Sequence, residues 1–156
     1  MAASHLSPQA YERLREELAW RTGEHRRELS LAIERARELG DISENADYDA
    51  AKDEQGKSEA RVRQIEQILK TAVVVEGASG EFVEPGCIVE LRYEGDDEAQ
   101  AYLVGSIEER DETYDVLSPD SPLGQAILGA EPGTSVTYQG PRRELSVTVV
   151  GVRPRD

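Results

Sequence analysis

One cysteine, Cys87, is the whole thiol content of this 156-residue chain, which excludes an intrachain disulfide and argues against a cysteine-based metal site. It also fits a reducing cytosol. No apolar run reaches the about 18 residues that a membrane span needs. The opening stretch MAASHLSPQAYERL has no apolar signal core, so the expected location is cytoplasmic. Positive charge is scarce: 18 Lys/Arg stand against 32 Asp/Glu, a net charge of −14. The deficit is uneven, with −3 over residues 1–75 and −11 over residues 76–156. Such a field repels phosphates and excludes general nucleic-acid binding, while leaving a basic protein surface as a possible partner. Hydrophobic residues make up 38% and charged residues 32%, enough for one compact core plus a largely solvated element.

What is present is two kinds of periodicity. Ser7-Pro8 reads as a helix start, a Ser N-cap followed by Pro at the first helical position. From there a seam runs Tyr11, Leu14, Leu18, Arg21, His25, Leu29, Ala32, Ala36 and Leu39, in steps of three and four with one irregularity between His25 and Leu29. Gly40 is a natural stop. A second seam runs Tyr48, Ala51, Gln55, Ser58, Val62, Ile65, Leu69 and Ala72 in strict alternation. Two such segments joined by a short loop predict an antiparallel helical hairpin, and an unbroken helix over 8–40 would be roughly 50 Å long. Beyond EGASGEFVEPG (76–86), which reads as a linker, the period becomes two. Cys87, Val89, Leu91 and Tyr93 alternate with polar or outward residues, as do Leu145, Val147 and Val149. Shorter strands are expected at 99–107, 113–117 and 134–138, and a short helix at 121–129 capped by Ser121. The fold class is therefore α+β: a hairpin at 1–75 with its tip at 40–46, a linker at 76–84, and a small, mostly antiparallel sheet domain at 85–156.

The tip sequence GDISENADYDAAKDEQG (40–56) has a net charge of −5. Asp41 and Glu44 admit two readings. They fit a capping box at the start of the second helix. They also fit a pair of hard oxygen ligands that would hold Mg²⁺ weakly alone but could complete a two-metal site on another protein. Asp47, Asp49 and Asp53 read as a solvated first turn. Arg35, Arg37 and Lys52 could form a small basic face, or simply pair along their helices. Tyr48 and His25 lie on seams, where packing is the ordinary role, and Cys87 reads as a core residue.

GD-x-x-EN-A-x-Y followed by AA-x-x-x-QG resembles the hairpin-tip signature of the bacterial transcript cleavage factors, the Gre family. SPDSPLGQAILG (118–129) resembles the family's C-terminal signature, and the likeness covers residues 7–152. The resemblance implies an FKBP-like C-terminal domain docking on the rim of the RNA polymerase secondary channel, with the coiled coil reaching the active centre. Asp41 and Glu44 would there be the catalytic and metal-holding acids, sharing Mg²⁺ with the polymerase and binding none stably alone. Arg37 and Lys52 match the basic patch that contacts the nascent RNA 3′ segment, and Asn45 and Tyr48 match tip-shaping positions. Ser118, Pro119, Ser121, Pro122, Leu123 and Gly124 are expected to border the docking surface. The factor would be a monomer that donates residues to another enzyme and is no enzyme itself. Its modest basic face favours the GreA type over the GreB type. Ile42-Ser43 departs from the family, which often carries a basic residue there. The alternatives are a channel-binding regulator that does not stimulate cleavage and, more distantly, a generic coiled-coil adaptor.

Overall fold

The computed structural model describes residues 4–40 and 45–155. Residues up to Ala10 pack with the chain from Ala72 onward as one compact unit, and Tyr11–Thr71 form a second. The sequence boundary places the first ten residues in the hairpin. They join the sheet unit because strand β1 (His5–Leu6) pairs in parallel with β2 (Val73–Val74), and because Leu6 and Ala10 are fully buried.

The helical unit consists of α1 (Pro8–Thr22, its first turn counted with the sheet unit), α2 (Glu24–Glu38) and α3 (Ala46–Thr71). Ser7 caps α1 as expected, its Oγ accepting from Ala10 N at 3.1 Å. The helix does not run unbroken from 8 to 40. Gly23 leaves the helical region at φ −107°, ψ −101°, and a Cβ there would stand 2.9 Å from the Ala19 carbonyl oxygen. The first seam shifts accordingly. Leu29, Ile33 and Ala36 are buried, whereas Ala32 and Leu39, both expected on the seam, are exposed. Successive steps of four from His25 to Leu29 to Ile33 rotate the buried face by about 40° each, which carries Ala32 out of the interface. The second seam is as read: Ala51, Ser58, Val62 and Ile65 are buried, and Tyr48, Gln55, Leu69 and Ala72 half-buried.

In the sheet unit five strands take the order β5-β4-β3-β7-β6: β3 (Cys87–Tyr93), β4 (Gln100–Val104), β5 (Asp115–Leu117), β6 (Ser135–Gln139) and β7 (Glu144–Pro154). All neighbours are antiparallel except β4 and β5. The period-two pattern places Cys87, Val89, Leu91, Val147 and Val149 in one core, closed by Leu123 and Ile127 of α4 (Pro122–Ile127). Burial pushes the Cys87 thiol pKa up, consistent with a packing role. The other large polar investment is Glu109, whose side chain is 4% exposed. Its carboxylate accepts from Ser7 N (2.9 Å), Ser7 Oγ (2.6 Å) and Arg155 Nη1 (2.9 Å). No local pattern marks this contact, because the partners are 102 and 46 residues away.

Between α1 and α3 the hairpin is held by charge. Arg61 donates to both oxygens of Glu17, at 2.9 and 3.0 Å, and Arg21 Nε donates to the same carboxylate at 2.7 Å. The Arg61 hydrogen bonds, joined by Arg21 and the two positive charges, outweigh the opposing effect of burial and hold Glu17 at a pKa of about 2, down from an ordinary 4.5. A depressed carboxyl stabilises the fold above its unfolded value and loses that contribution as pH falls. Helical circular dichroism during urea unfolding is therefore expected to show stability falling between pH 4.5 and about 2, with Glu17→Gln less stable at pH 7 and its pH dependence flattened across that window.

Candidate functional site at the hairpin tip

The tip begins where α2 ends. Leu39 N donates to Ala36 O at 3.2 Å and Gly40 N to Arg37 O at 3.3 Å, a tightened last turn. Gly40 then turns the chain at φ +114°, a conformation that favours glycine. Asp41 and Glu44 lie outside the described residues, as do Ile42 and Ser43.

The chain re-enters at Asn45, and this side chain does two things. Its Oδ1 accepts from Tyr48 N at 3.1 Å, the N-cap bond of α3, and its Nδ2 donates at 2.6 Å to Ala36 O, the carbonyl at the end of α2 that also accepts from Leu39 N. One asparagine thus ties the end of one helix to the start of the next. The capping-box reading of Asp41 and Glu44 is corrected here: α3 starts at Ala46, and Asn45 fills the cap position four residues beyond Asp41.

Tyr48 is half-buried on the seam, and the Arg37 guanidinium lies 5.9 Å from its ring centroid, within cation–π range. Arg37 and Tyr48 are therefore brought together. Lys52 is exposed and donates to Gln55 Oε1 at 3.1 Å, one turn along α3. Asp47 and Asp49 occupy the exposed first turn of α3, while Asp53 lies beyond it and pairs with Lys57 at 3.0 Å. Leu39, which seam spacing assigns to packing, is 71% exposed at the tip. His25 is stacked on Trp20 with centroids 4.1 Å apart, a packed histidine as expected.

The 118–124 segment is built mainly for its own fold. Ser121 Oγ accepts from Gly124 N (3.0 Å) and donates to Ser118 O (2.7 Å), Ser118 Oγ accepts from Asp120 N (3.1 Å), and Gln125 Nε2 donates to Pro119 O (2.8 Å). Pro119, Leu123 and Gly124 are buried, so of the six residues expected to border a docking surface only Ser118, Ser121 and Pro122 retain substantial exposure. A Cβ on Gly124 would stand 2.1 Å from Ser118 O.

Comparison with known proteins decides what this assembly belongs to. Residues 4–74 match the family described as transcription elongation factor, N-terminal, and residues 78–154 match transcription elongation factor, GreA/GreB, C-terminal. The chain belongs to the GreA/GreB family of transcription elongation factors. It is 41% identical to transcription elongation factor GreA of Streptomyces coelicolor over 152 residues, 96% of this chain and 92% of that one. It is 37% identical to the GreA of Thermotoga neapolitana over 156 residues, covering 99% and 100%. Among solved structures it is 30% identical to GreA factor homolog 1 of Thermus thermophilus, covering 97% and 99%, with a TM-score of 0.45. Family membership identifies a transcription elongation factor and implies RNA polymerase as its partner. Among the described residues, no helix is long and apolar enough to cross a membrane.

Because Gly124 sits against backbone, Gly124→Ala is expected to destabilise the sheet unit by about 1–3 kcal/mol, the usual cost of forcing extra volume into a packed site. Urea unfolding followed at near-ultraviolet wavelengths measures it; wild-type stability would show that the turn adapts freely.

Proposed function

We propose that this factor stimulates RNA polymerase to cleave backtracked nascent RNA, by presenting Asp41 and Glu44 to the polymerase active centre through its secondary channel. The observation that carries the reading is the division of labour at the tip. Asn45 supplies both the cap of α3 and the tie to α2, so the fold does not call on the two acids to cap the helix. Two carboxylates within four residues of sequence then remain in a region of net charge −5, where an acid pair is a poor choice unless a cation is to be met.

The donor chemistry fits Mg²⁺, which takes carboxylate oxygens and is commonly shared with a phosphate substrate. When bound, such an ion supplies Lewis-acid polarisation of the phosphate and a more acidic water. The chain's own residues do the rest. Asp41 and Glu44 would hold the ion jointly with the polymerase. Arg37, held against Tyr48, and the exposed Lys52 offer positive charge to the backbone of the RNA 3′ segment. Asn45 ties the end of α2 to the start of α3. In this reading the factor acts as a monomer, and the covalent chemistry belongs to the polymerase.

Cleavage in a stalled, backtracked elongation complex tests the proposal. The wild type should accelerate RNA release, and Asp41→Ala/Glu44→Ala should lose at least about a hundredfold of that acceleration while still competing for the polymerase, in keeping with removal of preorganised groups from a reacting centre. A wild-type chain that binds the complex and accelerates nothing would contradict it and favour a channel-binding regulator.

A further inference from the structure

Both arms of the hairpin carry a glycine at nearly the same level, Gly23 at the break between α1 and α2 and Gly56 within α3, and the seam there has no buried apolar side chain among the described residues. Gly23 lies between Arg21 and Arg26, whose partners on α3 are Ser58 (3.1 Å) and Glu59 (2.8 and 2.9 Å). Gly56 is two residues from Ser58, about 3 Å along the axis. Gly23 already departs from helical geometry. Gly56 is different: it stands inside the 26-residue α3, exposed, with nothing within 4 Å of where a Cβ would be. Among the described residues no packing or backbone requirement calls for glycine at this position, where it weakens the helix more than any residue but proline. The seam at this level reads Arg21 and His25 on one side and Gln55 and Ser58 on the other, between the apolar Leu18 and Val62 and the apolar Leu29 and Ala51. Among the described residues His25 Nδ1 is buried without a hydrogen-bond partner, and a Glu28 carboxylate oxygen is 3.8 Å away.

From these observations we infer that the hairpin has a two-helix bending joint at residues 21–26 and 55–59. Interlocked apolar side chains resist a change of angle because packing is lost at once, whereas long charged side chains keep their hydrogen bonds through small rotations. The ion pair Glu17–Arg61 flanks the joint and Arg26–Glu59 spans it, and together they keep the helices side by side while it flexes. Sharp helix kinks arise at specific interruptions of this kind rather than along regular turns, and four-residue insertions in a heptad pattern unwind a coiled coil locally. The joint lets the tip half of the hairpin change direction relative to the half nearer Tyr11.

Hydrogen exchange on the isolated full-length protein tests this without polymerase, and so independently of the cleavage reading. Amides of residues 22–27 and 55–59 should exchange at least about tenfold faster than those of 31–36 and 62–68. Gly56→Ala, which has open space for its methyl, should slow exchange at 53–60 by about fivefold and leave 62–68 unchanged. Uniform protection along both helices would overturn the joint. So would a Gly56→Ala chain whose exchange is unchanged at 53–60 or slowed equally everywhere.

Discussion

A helix end leaves carbonyls unpaired, a helix start leaves amides unpaired, and a hairpin must satisfy both within a few residues of each other. Here a single side chain links the two ends, with the Asn45 amide donating to Ala36 O, which also accepts from Leu39 N, and its carbonyl accepting from Tyr48 N. An aspartate in the same place could make only the second bond, because an ionised carboxylate has no donor. The requirement for a residue that both donates and accepts explains why an asparagine stands amid acids. It also fixes where α3 begins, hence the phase of its seam, with Tyr48, Ala51, Gln55 and Ser58 facing the partner helix. With closure assigned to Asn45, the acidity of the tip no longer has a capping explanation.

The sheet unit rests on an analogous economy. Glu109 is buried, and its two oxygens take up the Ser7 backbone amide, the Ser7 hydroxyl and Arg155. Removing any one partner leaves charge or a polar atom poorly satisfied, which is costly in a buried setting. Ser7 is meanwhile the N-cap of α1, whose first turn belongs to the same unit as Glu109. Arg155 also reaches Arg110 O and the Asp111 carboxylate, at 2.9 and 3.3 Å, binding the final residues of β7's extension to the 109–111 loop.

Much of this was legible in the sequence because it is local. The alternation of Cys87, Val89 and Leu91, the Ser121-Pro122 cap, the strict seam of α3 and the stop at Gly40 depend on nearest neighbours, and the structure agrees with each. The failures have distinct causes. The break at Gly23 was visible only as an irregular step after His25, since spacing records phase but not backbone angle. Of the two readings of Asp41 and Glu44, the capping box does not hold, because Asn45 is equally good at a cap and stands one residue before the helix. The docking residues stand apart from these: they rest on resemblance, and the structure shows only that Pro119, Leu123 and Gly124 are buried in the turn while Ser118, Ser121 and Pro122 keep exposure. Glu109 could not be found at all, because nothing local ties residue 109 to residue 7.

The central claim is that closure of the tip and its acidity are separate functions of separate residues. Paired urea unfolding curves, followed by helical circular dichroism, test it most directly. Asn45→Ala should lose about 1 kcal/mol or somewhat more, the usual worth of an N-cap side chain with a second bond added. Asp41→Ala/Glu44→Ala should stay within about 0.5 kcal/mol of the wild type, the scale of surface charge near a helix terminus. The reverse order, with the acid pair carrying the stability and Asn45 dispensable, would contradict the account.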